Sequence, residues 1–275
     1  MPRIDYSTPL RVLVSVRGHG FDRTAFDRLF SDMDGIEATM VDQPASAQLM
    51  NPEAMADYKA LVLYDMPGID FGGPGKPSAV EPPPWLRDRL ASLLKAGKGV
   101  VALHHALAGW PAWPEYGEWL GGRFLYRPGV VRGRPVADSG YRHDIGHEVT
   151  VLADHPVVAG LPPRFRLRDE LYLAEIFDDT LIPLLRSDYA FTAANFWSSA
   201  AAMDGRMFDN SGWSHPDGSG LVGWVKRALA SPLVYLQPGD GPTAYDDPHV
   251  RRLVENAIRW VTSPAALAWA RSGAG

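Results

Sequence analysis

The sequence predicts an α/β fold built on a doubly wound, mostly parallel sheet with helices on both faces. Short apolar runs at Leu10–Val16, 59–64 and Gly99–Leu103 are typical of strands buried on both faces. Helical patterns alternate with these runs across short turns, which favours right-handed βαβ units. The 275 residues, of which 46% are hydrophobic, suffice for one large domain, and no linker divides residues 1–275.

The first half of the chain alternates strands and helices in order. The strand at Leu10–Val16 ends in a turn with Gly18 and Gly20, and Asp22 is placed to cap the helix that follows. The other elements predicted in this half are a strand at 36–41, a helix beginning at Asn51-Pro52-Glu53, a strand at 59–64, a helix at 85–96 and a strand at 99–103.

The second half is less regular. Residues 109–148 are rich in Trp, Tyr, Gly and Arg, and we expect a long structured excursion that forms a lid or a binding surface over the sheet. Further strands are predicted at 148–152, 182–185, 221–225 and 233–237, a helix at 249–261, and a C-terminal tail at 264–275 with one more short helix.

Composition excludes several classes of function. The formal net charge is −5 with no basic stripe, so we expect no nucleic-acid partner. No apolar run approaches the ~20 residues that span a bilayer, and Arg11 and Arg17 make the first apolar run a poor signal peptide. The chain has no cysteine, which removes thiolate chemistry. We expect a cytoplasmic protein whose oligomeric state stays open, a homodimer being the commonest form.

Polar residues follow four of the predicted strands. In an open parallel sheet, ligands bind beyond the carboxyl ends of the strands, so these residues should share one rim. They are Arg17 and His19 after the first strand, Asp65 after the second, His104 and His105 after the third, and Asp240 after the last.

His104 and His105 are the strongest catalytic candidates. A histidine there could be a general base, a metal ligand or an oxyanion donor, although one of the two could simply hydrogen-bond a backbone carbonyl. Strand alternation sends adjacent side chains to opposite sides. The turn with Gly18 and Gly20 lacks the GxGxxG spacing, so no nucleotide cofactor is expected.

Two further segments carry ionisable residues. His143 and His147 have the spacing of zinc ligands on a helix, but Gly146 and the apolar run after it favour loop and strand, with a lid-like role for one histidine. Glu170 is a candidate acid or base, although nearby arginines could pair with Asp169 and Glu170 instead. Those arginines are Arg164, Arg166 and Arg168.

Aromatic residues crowd the excursion. Most such rings pack a core, but a ring beside His, Asp and Arg also suits the C–H face of a sugar. Trp110 and Trp113 are therefore predicted to bind substrate.

Several segments in combination resemble the trehalose-utilisation, or ThuA-like, family over nearly the whole chain. They are 11–20 (RVLVSVRGHG), 96–108 (AGKGVVALHHALA), 113–124 (WPEYGEWLGGRF), 155–161 (HPVVAGL), 169–172 (DELY) and 234–260 (VYLQPGDGPTAYDDPHVRRLVENAIRW). The resemblance implies a flavodoxin-like variant of the class I glutamine amidotransferase architecture and a link to carbohydrate metabolism, including keto-sugars.

The resemblance places His104 where amidotransferases carry their nucleophilic cysteine, so glutaminase chemistry is excluded. It also shows Gly239-Asp240 where many members carry Gly-His, which puts any role carried over to that position in doubt. A divalent metal is possible, with His19, His104 and Asp240 as candidate ligands. We therefore expect an enzyme on a small sugar or keto-sugar derivative, with two alternatives: a non-catalytic sugar-binding or regulatory protein, and a structural partner of another enzyme.

Overall fold

The computed structural model describes residues 10–72 and 77–273, and its strands and helices alternate as the sequence predicts. In chain order the strands are β1 (Leu10–Val16), β2 (Ile36–Asp42), β3 (Ala60–Leu63), β4 (Ile69–Asp70), β5 (Ser78–Ala79), β6 (Gly99–Leu103), β7 (Gly122–Arg123), β8 (Gly129–Val131), β9 (Arg134–Val136), β10 (Gly140–Val151), β11 (Arg164–Leu173), β12 (Glu175–Ile176), β13 (Ile182–Ser187), β14 (Trp197–Ser198), β15 (Leu221–Ala228) and β16 (Ser231–Leu236). The α-helices are α1 (Arg23–Ser31), α2 (Ala45–Leu49), α3 (Pro84–Lys95), α4 (Pro114–Leu120), α5 (Ser199–Met203), α6 (Pro242–Tyr245), α7 (Pro248–Val261) and α8 (Pro264–Arg271).

One ten-stranded sheet runs through the described residues in the order β11-β10-β13-β15-β16-β6-β3-β1-β2, with β14 paired to β10. The strands from β16 to β2 are parallel, which confirms the doubly wound, flavodoxin-like fold. The remaining strands extend this core with antiparallel pairs. The change from parallel to antiparallel pairing occurs between β15 and β16, which are joined by a two-residue hairpin loop in which Leu229 has a φ of +56°.

Helices cover both faces of the parallel strands. Side chains of β1 alternate between the two faces, with Val12 and Val14 packing beside α1 and α7, and Leu13 packing beside α3. All three side chains are fully buried. The sheet is therefore buried on both faces, as the continuous apolar runs predicted.

Two predicted boundaries differ from the structure. Asn51 caps the amide of Ala54 at 3.0 Å, but the chain makes only turns between Asn51 and β3. The excursion begins at Gly109, but its last predicted part belongs to the main sheet as β10, which starts at Gly140. Gly146 does not interrupt that strand.

The predicted helix after Pro264 is confirmed as α8. Residues 1–9 and 274–275 of the predicted domain lie outside the described residues. Within the described part of the chain, no helix combines the length and hydropathy needed to cross a membrane.

Candidate functional site

The end of β6 forms a sharp strand-to-helix turn at His104. The 3-10 helix His104–Ala108 begins directly after Leu103, and His104 has a φ of +34°. Left-handed backbone is uncommon for residues other than glycine, and it persists only where surrounding contacts fix it. The hydroxyl of Tyr235 donates to the carbonyl of His104 at 3.2 Å, which supplies one such contact.

Both ring nitrogens of His104 face acceptors. Its Nδ1 lies 2.6 Å from the carbonyl oxygen of Gln237, and its Nε2 lies 2.9 Å from Oε2 of Glu170. Because a carbonyl can only accept, Nδ1 carries a proton, and Nε2 and Glu170 share a second one. Burial lowers the pKa of His104, but the hydrogen bond to Glu170 and the charges of Asp240, Glu170 and Asp169 outweigh it and raise the pKa to about 9.

A bulge in β10 brings His143 to the same carboxyl group. Arg142 pairs with Leu171 and Ile145 with Asp169, so two residues of β10 oppose Glu170. Nδ1 of His143 lies 3.1 Å from Oε1 of Glu170. The prediction of a loop around His143 is therefore wrong, because the bulge keeps this residue in the sheet.

His147 lies on the same strand but outside the site. It is buried, and its Nδ1 lies 2.8 Å from the hydroxyl of Ser187. Burial lowers its pKa to about 4. His143 and His147 thus have separate surroundings despite their spacing.

Asp240 lies beside both adjacent histidines. Its Oδ1 is 3.7 Å from Nε2 of His104 and 3.4 Å from Nε2 of His105. Burial opposes ionisation of Asp240, but the imidazoles of His105 and His104 hold its pKa well below the usual range. Burial lowers the pKa of His105 to about 3, so this ring is neutral at pH 7.

Asp169, on β11, holds the backbone at Gly239 and Asp240. Its Oδ2 accepts a hydrogen bond at 2.6 Å from the amide of Gly239, and its Oδ1 accepts one at 3.1 Å from the amide of Asp240. Burial raises the pKa of Asp169 to about 6. The sequence showed this residue only as a member of a charged pair.

A pocket of about 300 Å³ opens at this edge of the sheet. Its polar side chains include Glu170, His143 and His19, and the rest of the wall is mostly apolar. The remaining lining residues are Met66, Phe71, Pro77, Ala108, Phe124, Tyr126, Tyr141, Tyr172, Ser199, Ala202, Met203 and Met207. Sequence reasoning considered His143 only for a lid-like role and did not single out the α5 segment, since neither follows a predicted strand.

The structure brings most of the predicted rim together. His104, His105, Glu170 and Asp240 form one cluster, and the ring of His19 lies 4.3 Å from that of His105. The arginines near Glu170 do not compete with His104 for its carboxyl group. Arg164 pairs with Glu148, and Arg168 pairs with Asp144.

Five predicted substrate-binding residues lie outside the pocket wall, and one of them, Asp240, belongs to the histidine cluster instead. Arg17 is exposed and donates to the carbonyl of Gln43, and the buried Asp65 accepts a hydrogen bond at 2.6 Å from the same residue's Nε2. Trp113 is only 2% exposed because it packs into the core at the start of α4, and Trp110 packs edge-on against it.

A family comparison agrees with this architecture. The family model described as "ThuA: Trehalose utilisation" matches residues 11–261. This chain belongs to the ThuA family. No match was found among proteins of curated function.

Solved structures of low sequence identity share the fold. A putative ThuA-like protein from Parabacteroides merdae is 15% identical over 93% of this chain and 90% of that chain, with a TM-score of 0.64. A second, from Bacteroides uniformis, is 18% identical over 95% of each chain, with a TM-score of 0.59. These likenesses concern the fold alone.

Proposed function

We propose that this ThuA family protein is an enzyme that transfers protons on a small sugar or keto-sugar derivative. One observation carries the proposal: the Glu170 carboxyl group lies between Nε2 of His104 and Nδ1 of His143 and forms part of the pocket wall. A carboxyl group in contact with two imidazoles beside a binding pocket has the arrangement of a general acid or base.

The roles of the three residues differ by their access to the pocket. Glu170 and His143 line it, so either can reach a bound ligand, and we assign Glu170 as the general base. His104 is fully buried behind Glu170 and acts as a positioning residue that holds the carboxyl group and stabilises its charge. This differs from a direct catalytic role for His104.

The substrate class follows from the family and from the pocket. The trehalose-utilisation family supports a sugar. Aromatic rings of Phe124, Tyr126 and Tyr172 form an apolar wall suited to the C–H face of a sugar ring. Glu170 lines the same pocket and can take a proton from a carbon beside a carbonyl. Amidotransfer is not proposed, because it needs a cysteine nucleophile and the chain has none.

The experiment is solvent-deuterium exchange. A panel of sugars and keto-sugars is incubated with the protein in D₂O, and proton NMR follows exchange at each carbon and any product. We expect exchange on a keto-sugar with the wild type and none with Glu170→Gln. Glu175→Gln is the matched control, since Glu175 lies on β12 outside the pocket wall.

Three outcomes would contradict the proposal. They are absence of exchange and product across the panel, full exchange by Glu170→Gln, and saturable sugar binding with no reaction. The last would identify a sugar-binding protein on an inherited enzyme fold.

A further inference from the structure

We propose that His104, His105, Glu170 and Asp240 bind one divalent transition-metal ion. Each residue offers one ligand atom, and these atoms all lie within 4.8 Å of one another. The inference stands on this cluster alone and does not depend on the sugar chemistry proposed above. The sequence-based ligand set was His19, His104 and Asp240. The cluster keeps His104 and Asp240 but has His105 and Glu170 in place of His19.

The two contacts of Asp240 have distances that suit a small ion. Two ligands that lie ~2.1 Å from a tetrahedral ion are about 3.4 Å apart. Oδ1 of Asp240 is 3.4 Å from Nε2 of His105 and 3.7 Å from Nε2 of His104. The 2.9 Å contact between His104 and Glu170 is a hydrogen bond whose shared proton the ion would replace.

His105 supplies an independent observation. The residue is 1% exposed, and its Nε2 is buried without a hydrogen-bond partner among the described residues. Leaving a buried polar atom unpaired costs about 1–3 kcal/mol, so such atoms are rare without a role. This nitrogen faces Oδ1 of Asp240, and an imidazole nitrogen beside a carboxylate oxygen is a common pair of metal ligands.

Neighbouring groups contact the proposed ligands and fix their orientation, as the hydrogen-bond partners of metal ligands do in metal sites. The Nδ1–H of His104 donates to the carbonyl of Gln237, which fixes the tautomer and leaves Nε2 directed at the cluster. Asp169 accepts hydrogen bonds from the amides of Gly239 and Asp240 and so holds the backbone at Asp240. His143 contacts the outer oxygen of Glu170.

The ligand chemistry selects the class of ion. When both imidazoles are neutral, as metal ligation requires, the four ligands carry a charge of −2, which a divalent ion neutralises in this mostly buried place. Mixed nitrogen and oxygen ligands suit Zn²⁺, Mn²⁺ or Fe²⁺, whereas Ca²⁺ and Mg²⁺ prefer oxygen alone. Asp240 keeps 29% of its side chain exposed and gives the ion a path from solvent.

The test measures metal content directly. The full chain is stripped with a chelator, reloaded with Zn²⁺ or Mn²⁺, passed through gel filtration and analysed by inductively coupled plasma mass spectrometry. We expect near-stoichiometric ion in the wild type and at least about tenfold weaker retention in His105→Gln and Asp240→Asn. His249→Gln is the control, because His249 is half-buried against Phe165 outside the cluster.

A wild type that retains neither ion, or variants that retain as much as the wild type, would overturn the proposal. If a ligand variant fails to fold, thermal unfolding of the wild type and of the control variant, with and without ion, still tests the proposal. Either ion should raise the Tm of the wild type and of His249→Gln, because an ion that binds only the native state stabilises that state. If neither ion raises the Tm of the wild type, the proposal is also overturned. Deuterium exchange by chelator-treated protein separates the two proposals, because an active metal-free protein leaves the proton-transfer function standing.

Discussion

Nε2 of His104 lies 2.9 Å from Oε2 of Glu170, and both side chains are almost fully buried. The two residues are 66 positions apart in the chain, and they join the parallel and the antiparallel halves of the sheet. Glu170 also lines the pocket, so this contact links a buried charge to a place where a ligand can bind.

Replacing His104 should lower kcat strongly and leave substrate binding little changed. His104→Asn keeps a residue that tolerates positive φ but removes the partner of Glu170. We expect kcat to fall by about 100-fold or more with KM little changed, because His104 does not line the pocket. Steady-state kinetics with circular dichroism checks this, and an equal loss through KM alone would contradict a positioning role.

Replacing His143 should separate activity from stability. Its side chain is 39% exposed, so His143→Gln should change the free energy of unfolding by about 0.5 kcal/mol or less. It should lower kcat by about 10- to 100-fold, because Glu170 loses its partner on the pocket side. Denaturant unfolding tests the stability and steady-state kinetics tests kcat on the same sample. An unchanged kcat would show that His143 has no role in the reaction.

Two glycines of the turn after β1 offer a matched pair. Gly18 has a φ of +102°, and a Cβ there would lie 2.3 Å from the carbonyl oxygen of Met66, whereas a Cβ at Gly20 would meet nothing within 4 Å. Gly18→Ala should cost about 1–3 kcal/mol of stability and displace His19 from the pocket wall, while Gly20→Ala should change little. Chemical denaturation of the two variants decides this, and equal stabilities would contradict the strained turn.

His147 should contribute to acid sensitivity. The pKa of His147 is about 4 in the folded protein and ~6.5 in the unfolded chain. Between these two values the unfolded chain binds a proton at His147 that the folded protein does not bind. The stabilising effect is complete above pH ~6.5 and is lost as the pH falls towards 4, by at most about 1.4 kcal/mol per pH unit.

His147→Gln should flatten this part of the stability curve. The measurement is the free energy of unfolding from pH 7 to pH 4. A slope identical to that of the wild type would show that burial of His147 does not control the titration.

The parallel half of the fold and its site residues could be predicted because their signals are local. Leu10–Val16 and Gly99–Leu103 are apolar throughout, as strands covered on both faces must be. His104 and Asp240 meet because β6 and β16 are neighbouring parallel strands whose carboxyl ends share an edge.

The rest of the site depends on long-range pairing that hydropathy does not encode. The role of Glu170 depends on its antiparallel strand reaching the end of β6, and the role of His143 depends on a bulge whose flanking Gly146 favoured a loop. Trp113 shows a different limit, since a tryptophan has the same sequence signature in a core as in a sugar pocket.

The central claim is that a sugar reacts in the pocket beside Glu170. The most direct test is a crystal structure of Glu170→Gln with the keto-sugar that exchanges deuterium in the wild type. We expect the exchanging carbon about 3–3.5 Å from the substituted side chain at position 170, with the ring against Tyr172 or Phe124. A sugar bound elsewhere on the protein, with this pocket empty, would contradict the claim.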